Sequence, residues 1–309
     1  MPSTSTTTTV QSAFQPAALW PGLLLAVLGA LGFSGKAIIV KLAYRYGVDA
    51  ITLIMYRMLF ALPLFVALAW WASRGKAALA PRDWAGVVGL GFTGYYLASF
   101  LDFLGLAYIS ASLERLILYL NPTIVMMLGW LLYRRGVRPM QMAGMAISYG
   151  GVILVFGLEL KSQGADAALG ALLVLASALS YAVYLVYSGE LVRRLGAMRL
   201  VGLASTVACL LCIVQFLLLR PLGAAVVASE VIWLSLLNAS LCTVMPVLLV
   251  MMAIERIGAS LASQAGMVGP MATIALGALL LDEPFTLWVA AGTALVIAGI
   301  FVFARSAPE

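Results

Sequence analysis

The stretch Ile109-Ser110-Ala111-Ser112-Leu113 recurs with one substitution, 148 positions later, as Ile257-Gly258-Ala259-Ser260-Leu261. The same shift aligns further pairs along the chain without a gap, namely Pro122 with Pro270, Gly151 with Gly299 and Gly22 with Gly170. The chain is therefore predicted to consist of two copies of one unit, and each copy contains five hydrophobic segments.

The composition requires a membrane as the solvent of this chain. Of its 309 residues, 64% are hydrophobic and 10% are charged, and the mean hydropathy is +1.08. Soluble domains carry about 25% charged residues, so a water-exposed surface cannot be built from this chain. Ten continuous apolar stretches approach the length of about 20 residues that a membrane helix needs, which favours helices over a β-barrel. These stretches are approximately 18–41, 50–72, 84–107, 111–133, 140–157, 169–188, 199–219, 232–253, 260–281 and 287–304.

Five spans per copy is an odd number, so the second copy must cross the membrane in the opposite direction to the first. We predict an all-α integral membrane fold of ten transmembrane helices in two inverted five-helix repeats, 18–158 and 166–305. A Ser/Thr-rich tail over 1–17 is predicted to be disordered. Inverted repeats are typical of alternating-access carriers, because two near-equivalent halves can exchange inward-open and outward-open shapes.

The basic residues are distributed unevenly over the predicted loops. If the N-terminus is cytoplasmic, the inside loops and the C-terminal tail hold eleven Lys and Arg residues and the outside loops hold four. The positive-inside rule then places both termini in the cytoplasm, with the protein in the inner membrane. No soluble module exists to organise a nucleic-acid site, so the expected partners are the lipid bilayer and a small-molecule substrate. The glycine-rich fifth and tenth spans leave a homodimer open.

Most enzyme chemistry is disfavoured by the residues that are missing. The chain has no histidine, which removes the commonest general base and the commonest metal ligand. Cys209 and Cys212 have CxxC spacing, but they lie in a uniformly apolar span without the strand and helix of a redox motif. We expect no catalytic residue, no metal site and no cofactor. Without an ATP-binding loop, transport would be driven by a gradient or by exchange.

Five ionisable residues lie inside the predicted spans, namely Lys36, Arg57, Asp102, Glu114 and Arg115. A charge at membrane depth costs at least about 2.5–3.5 kcal/mol, so these side chains should face protein or water. Counted along their helices, all five lie in the outer third of the bilayer, which predicts an ion-pair network. Internal pairing that fixes the packing and direct contact with substrate both remain open. The shift of 148 residues replaces them with Tyr184, Ser205, Val250, Ala262 and Ser263, so the two gates are expected to differ chemically.

Aromatic and polar residues mark the candidate lining of a cavity. Phe92, Tyr95, Ser99 and Asp102 recur at i+3 and i+4 spacing, so they are predicted to share one face of the third span. Further candidates for substrate contact are Tyr119, Tyr181, Tyr184, Ser263 and Gln264. Each aromatic residue is as compatible with helix packing as with contact to a ligand.

Two helix interruptions occur at corresponding places in the fourth span of each copy. They are Asn121-Pro122 and Gly269-Pro270. Proline removes a backbone hydrogen bond from a helix, and paired interruptions near mid-depth indicate the binding site of a carrier. We therefore predict that these four residues form hinges next to the substrate.

Together these features resemble the drug/metabolite transporter superfamily, and specifically its EamA type with two tandem EamA domains, over about residues 18–304. The resemblance is carried by Leu31-Gly32-Phe33-Ser34-Gly35, Arg57, Ala107-Tyr108-Ile109-Ser110-Ala111-Ser112, Asn121-Pro122, Glu255-Arg256-Ile257-Gly258-Ala259-Ser260, Gly269-Pro270 and Leu281-Asp282-Glu283-Pro284. The last element is similar to the family's Gly-Glu pattern at the end of the fourth helix of a repeat. The first copy departs from it, with Arg134-Arg135-Gly136 in that place.

The resemblance implies a cavity between spans 1, 3, 4, 6, 8 and 9, and export of amino acids, related metabolites or toxic compounds. We predict a secondary transporter, not an enzyme, that exports small metabolites such as amino acids by alternating access. One alternative is an exporter of cationic or hydrophobic toxic compounds, although the five charges sum to +1. Alternatives outside transport are a non-transporting membrane protein and a lipid-modifying enzyme.

Overall fold

The computed structural model describes residues 16–133, 139–163, 165–265 and 268–305, and within these ranges the regular structure is helical with no strand. The first repeat contains α1 (Pro16–Tyr44), α2 (Ala50–Ser73), α3 (Pro81–Leu90), a π-helical segment (Gly91–Leu97), α4 (Ala98–Leu106), α5 (Ala111–Leu118), α6 (Asn121–Tyr133) and α7 (Pro139–Gln163). The second contains α8 (Ala165–Leu195), α9 (Ala197–Leu219), a 3₁₀ turn (Leu222–Ala225), α10 (Ser229–Ala239), a π-helical segment (Ser240–Val244), α11 (Met245–Ala265), α12 (Val268–Leu280) and α13 (Leu287–Arg305).

The helices confirm an all-α integral membrane fold. In the described part of the chain, eight helical stretches are long and apolar enough to cross a membrane. The predicted ninth and tenth spans correspond to α12 and α13, whose apolar parts are shorter. The predicted tail lies outside the described residues up to position 15, and its last two residues already belong to α1.

One predicted boundary is wrong. The eighth span ends at Ala253 as expected, but the ninth, expected to begin near 260, does not start a helix there, because α11 continues as one helix to Ala265. In the first copy, Ser110 ends the corresponding turn and its hydroxyl accepts from the Leu113 amide, which starts α5 as a new helix. The second copy has Gly258 at this place. Without a side-chain cap, the helix has no start signal and continues.

The packing of the helices follows the repeat. α7 packs against α13 and α2 against α9, so each of these spans pairs with its own copy. α1 packs against α11, and α4 packs against α8. Since α8 is the copy of α1 and α11 is the copy of α4, these two contacts are equivalent in the two repeats. The same relation connects the contact of α1 with α12 to the contact of α6 with α8. The two repeats therefore form one domain with an internal pseudo-twofold axis.

Glycines show this symmetry at atomic detail where α7 meets α13. A Cβ added at Gly151 would lie 2.5 Å from the carbonyl oxygen of Gly292. A Cβ added at Gly299 would lie 2.5 Å from the carbonyl oxygen of Gly144, and these two contacts are related by the shift of 148 residues. Small residues permit such close approach of membrane helices. The glycine-bearing faces of both helices are thus buried against each other within one chain.

The third and eighth spans each contain a π-helical segment at the corresponding place, Gly91–Leu97 and Ser240–Val244. Hydrogen bonds in a π-helix connect residues i and i+5, so the turn is wider than in an α-helix. The i+3 and i+4 spacing that places residues on one face of an α-helix therefore does not hold across these segments.

The start of α2 is capped by Asp49. Its Oδ1 accepts from the amides of Ile51 at 3.0 Å and Thr52 at 3.3 Å, and Arg220 Nε lies 3.1 Å from the same oxygen. Burial by itself raises the pKa of Asp49, but hydrogen bonds from Thr52 and Arg220 outweigh it and hold the pKa below its usual range. The charged form of Asp49 therefore stabilises the fold.

Replacing Asp49 with alanine is expected to lower the free energy of unfolding by about 1 kcal/mol at pH 7, because an N-cap is lost. The folded pKa lies below the ordinary value of about 4, so the ionic part of this stabilisation is complete above that pH. It is lost as the pH falls through the lowered folded pKa. Denaturant unfolding in detergent, at pH 7 and at a pH below the folded pKa, measures the free energies of unfolding of Asp49→Ala and the parent. A difference between the two proteins that does not shrink in acid contradicts the prediction.

Candidate functional site

Lys36 on α1 joins two carboxylates from neighbouring helices. Its Nζ lies 2.5 Å from Oδ2 of Asp102 on α4 and 3.3 Å from Oε1 of Glu114 on α5. Asp102 and Glu114 are buried, and 16% of the Lys36 side chain is exposed. One ammonium group thus holds three helices of the first repeat together.

Arg115 completes this cluster from the side of α5. Its Nε lies 3.9 Å from Oε2 of Glu114, and its terminal nitrogen donates to the carbonyl of Phe33 at 2.9 Å. Two cations and two carboxylates then face each other, so the ion cluster of Lys36, Asp102, Glu114 and Arg115 is formally neutral. Asp102 Oδ1, both Glu114 carboxylate oxygens and Arg115 Nε are buried, and the contacts that the Glu114 oxygens and Arg115 Nε make within the cluster, at 3.3 and 3.9 Å, are longer than good hydrogen bonds. The ion cluster therefore keeps unused hydrogen-bonding capacity.

Arg57 does not join the ion cluster, which corrects the predicted five-residue network. Its Nε donates to the hydroxyl of Thr243 at 3.0 Å, and its guanidinium lies over the ring of Phe103, 5.1 Å from the centroid. Within the described residues, no carboxylate lies at ion-pair distance from it. Phe103 follows Asp102 directly on α4 and packs in a core that includes α2 and α9, so Arg57 meets a different face of α4. The expected net charge of +1 thus becomes zero.

The helix interruption of the first repeat lies between α5 and α6. α5 ends at Leu118 and α6 begins at Asn121, with Tyr119 and Leu120 in the turn between them. Asn121 Nδ2 donates to the carbonyl of Ala178 on α8 at 3.1 Å. Pro122 occupies the first turn of α6, where a missing N–H breaks no helical hydrogen bond.

The interruption of the second repeat meets that of the first. Gly269, at the start of α12, has a carbonyl that accepts from Ser34 Oγ at 2.8 Å and from Thr273 Oγ1 at 3.2 Å. A Cβ added at Gly269 would lie 2.8 Å from the hydroxyl oxygen of Tyr119. Pro270 follows on α12, but its side chain lies outside the described residues. The two corresponding breaks are therefore in contact, with α1 beside them.

Three tyrosines form a second cluster. The hydroxyl oxygens of Tyr95 and Tyr184 lie 3.2 Å apart, and their rings meet edge to face with centroids 5.2 Å apart. Tyr181 stacks on Tyr184 at 5.5 Å. The shift of 148 residues aligns Tyr184 with Lys36 and Thr243 with Tyr95. Tyr184 therefore occupies, in the second copy, the place that Lys36 occupies in the first, whereas Tyr95 belongs to the first copy, so the tyrosine cluster joins the two repeats.

The predicted single face of the third span is not formed. Phe92 is 43% exposed, and its ring packs against Tyr96 at 5.4 Å, whereas Tyr95 contacts Tyr184. Ser99 is half-buried. The π-helical segment causes this difference, because it shifts Phe92 out of register with Asp102. Ser263 and Gln264 lie near the end of α11, and their side chains are outside the described residues.

The sequence did not predict the contact between Glu283 and the start of α5. Glu283 follows α12, and its Oε1 accepts from the Ala111 amide at 2.7 Å. Its Oε2 accepts from the hydroxyl of Ser112 at 2.8 Å and from the Ser112 amide at 3.3 Å. The Ser110-Ala111-Ser112 stretch signals a helix start that needs acceptors, but nothing in the sequence pairs it with a segment so distant.

A cavity of about 650 Å³ adjoins this contact. Its lining includes Lys41, Arg45, Ser112, Asp282, Glu283 and Trp288. Lys41 Nζ donates to the carbonyl of Ile109 at 2.7 Å, and an Arg45 nitrogen donates to the carbonyl of Leu281 at 3.1 Å. The cavity therefore lies where the end of α1, the segment after α12 and the start of α13 meet α7 and the start of α5.

Two inverted five-helix repeats, with broken helices in contact between them, define an integral membrane protein of the transporter class. The sequence profile of the EamA-like transporter family matches residues 20–157 and 168–305. The chain belongs to this family, as the resemblance implied, and it is a membrane transporter.

Known relatives agree with this family but name no cargo. The uncharacterized transporter YcbK of Bacillus subtilis (strain 168) is 31% identical over 274 residues, which cover 85% of this chain and 86% of the relative. An uncharacterized transporter of Archaeoglobus fulgidus is 28% identical over 169 residues, which cover 54% and 57%. One solved structure, described only as the crystal structure of a protein, matches with a TM-score of 0.61 at 19% identity, covering 91% of this chain and 95% of that one. This last likeness concerns the fold alone.

Proposed function

We propose that this protein exports small zwitterionic metabolites such as amino acids from the cytoplasm by alternating access. It acts as a secondary transporter in the inner membrane, with both termini cytoplasmic. In this orientation, the end of the molecule that carries Glu283 faces outside. The excess of basic residues in the inside loops supports the orientation.

One observation carries the proposal, which is the direct contact between the two helix breaks. Tyr119 of the first repeat meets Gly269 of the second, and Ser34 of α1 donates to the Gly269 carbonyl. Broken helices present backbone groups that are free to bind a polar molecule inside the membrane. Since the breaks also allow the two halves of each span to tilt, the same place can bind cargo and serve as the pivot.

The ion cluster supports a zwitterion as cargo. Oxygens of Asp102 and Glu114 offer acceptors for an ammonium group, and Arg115 Nε offers a donor for a carboxylate. Because the cluster is neutral, it binds neither a bare anion nor a bare cation without leaving a charge uncompensated. An amino acid carries both an ammonium group and a carboxylate.

The tyrosine cluster favours the second candidate, an exporter of cationic or hydrophobic toxic compounds. Aromatic faces attract organic cations, and Tyr95, Tyr181 and Tyr184 lie together where the third span of the first repeat meets α8 of the second. The two candidates predict different cargo in the same flux assay. A lipid-modifying enzyme or a non-transporting protein predicts no flux of either cargo.

The test uses purified protein in proteoliposomes loaded with a mixture of radiolabelled amino acids or with ethidium. We expect efflux of one or more amino acids, strongly reduced by Gly269→Ala because the added Cβ meets the Tyr119 hydroxyl. Gly89→Ala is the matched control, since a Cβ there meets nothing within 4 Å. Efflux of ethidium alone selects the second candidate, and no efflux of either overturns the proposal. The orientation is tested with a tag at each terminus. We expect both tags to react only with a reagent that is applied from the cytoplasmic side.

A further inference from the structure

Helix α5 is held at its start by a residue of the other repeat. The first N–H groups of a helix have no partner within that helix, so they need acceptors from elsewhere. Ser110 Oγ accepts from the Leu113 amide at 3.0 Å, and the Glu283 carboxylate accepts from the amides of Ala111 and Ser112. Hydrogen bonds from N–H groups to a carboxylate are stronger than neutral ones, and the helix dipole adds to them.

The surroundings fit Glu283 closely into this place. A Cβ added at Gly277 would lie 2.9 Å from Glu283 Oε2, so a side chain at position 277 would push the carboxylate out of its present place. The Glu283 amide donates to the Gly277 carbonyl at 3.1 Å. The preceding residue, Asp282, has a φ of 58°, which turns the chain sharply back after α12. The carboxylate is therefore positioned by backbone on both sides.

Among the described residues, no corresponding contact is made at the opposite end of the molecule. The shift of 148 residues aligns Glu283 with Arg135, whose side chain cannot accept a hydrogen bond and which lies outside the described residues. It aligns Ala111 and Ser112 with Ala259 and Ser260, which lie inside the continuous helix α11. Amides in a helix interior are already bonded to the preceding turn, so no start of a helix is available for capping there.

α5 stands between the cavity of about 650 Å³ and the contacting helix breaks. Ser112 and Glu283 line that cavity at the start of α5, whereas Tyr119 follows the other end of α5 and meets Gly269. Glu114 and Arg115 in the middle of α5 belong to the ion cluster. A movement of this short helix about the turn at Tyr119 would therefore connect the cavity to the level of the proposed binding site.

We propose that Glu283 is the latch of the outer gate, and that the cavity beside it is the outer vestibule of the transport path. While Glu283 caps α5, the vestibule is closed from the binding site, and release of the carboxylate frees α5 to move. This inference rests on the proposed transport function. Its test, however, measures access to the binding site directly and requires no substrate.

The test measures how fast a thiol at position 34 reacts with a membrane-impermeant maleimide. Ser34→Cys is placed in a variant whose native cysteines Cys209, Cys212 and Cys242, all buried, are replaced by alanine. Thr286 is exposed and lies close to Glu283 in sequence. Labelling of Thr286→Cys therefore shows on which side of the membrane the reagent reaches this end of the molecule. From that side we expect Glu283→Ala to raise the labelling rate at position 34 by about tenfold or more. Asp282→Asn, which removes the neighbouring charge, leaves the rate unchanged.

A second variant separates opening of the gate from general loosening. Ser112 Oγ lies 3.6 Å from where a Cβ at Gly277 would be, so Ser112→Cys with Gly277→Cys and Glu283→Ala can form a disulfide in place of the latch. Oxidation should return the labelling rate at position 34 to that of the parent, and reduction should raise it again, as read by mass spectrometry of that peptide. Equal labelling with and without Glu283 overturns the proposal. Fast labelling of the buried Cys209, when Glu283→Ala is made in the chain that keeps its native cysteines, overturns it as well. Failure of the flux assay would leave these labelling results intact, so the two proposals fail separately.

Discussion

Replacing Lys36 with methionine is expected to lower the free energy of unfolding by about 3–5 kcal/mol, because two buried carboxylates lose their shared ammonium group. Methionine keeps most of the volume of the side chain, so the loss reports charge rather than packing. Asp102 and Glu114 are almost fully buried, and water cannot take over the role of Lys36 without rearrangement. Denaturant unfolding in detergent, followed by tryptophan fluorescence, measures the change.

The double variant Lys36→Met with Asp102→Asn distinguishes an unpaired charge from a lost contact. Removing both partners leaves Arg115 to balance Glu114, so part of the stability should return, and the two single changes should not add. Lys161→Met changes an exposed lysine and is expected to cost less than about 0.5 kcal/mol. A cost for Lys36→Met as small as that of Lys161→Met contradicts the buried ion cluster.

Gly151→Ala and Gly150→Ala are expected to change stability in opposite directions, although the two residues are neighbours on α7. A Cβ at position 151 meets the backbone carbonyl of Gly292 at 2.5 Å, so α7 and α13 must separate, at a cost of about 1–3 kcal/mol. A Cβ at position 150 meets nothing within 4 Å, and alanine should stabilise the helix by up to about 1 kcal/mol. Thermal unfolding of the three proteins side by side measures both.

Gly299→Ala extends this comparison to the symmetry of the fold. Its Cβ would meet the carbonyl of Gly144 at 2.5 Å, which is the copy of the contact at Gly151. The two substitutions should therefore have similar costs. A large cost at one position and none at the other would show that the two repeats do not pack equivalently along this pair of helices.

The architecture could be predicted from sequence because it depends on two regular signals. Long apolar runs define membrane helices, and a constant shift of 148 residues defines the repeat. The packing of α7 on α13 and the corresponding π-helical segments follow the same shift, so the repeat extends to details of backbone geometry. The apposition of the two helix breaks fits this symmetry as well.

The site was predicted less well because its details depend on local departures from regular geometry. The π-helical segment at Gly91–Leu97 shifts Phe92 out of line with Asp102, and helical spacing alone gives no sign of it. Arg57 packs on Phe103 rather than on the ion cluster. Counting residues along a helix predicts the depth of a side chain in the membrane, but it does not predict which neighbouring helix the side chain faces. The bond from Glu283 to α5 joins segments far apart in sequence, and only the folded chain brings them together.

The unequal chemistry of the two clusters has a consequence for turnover. Lys36 and Tyr184 are copies of each other, yet one stands among ions and the other among phenols. Two mirror shapes built on such different contacts have different free energies, and a resting preference of 99 to 1 needs only about 2.7 kcal/mol. In the proposed alternating-access cycle, cargo that binds both shapes equally leaves this preference unchanged, so the contacts of the protein itself set the distribution between the two shapes.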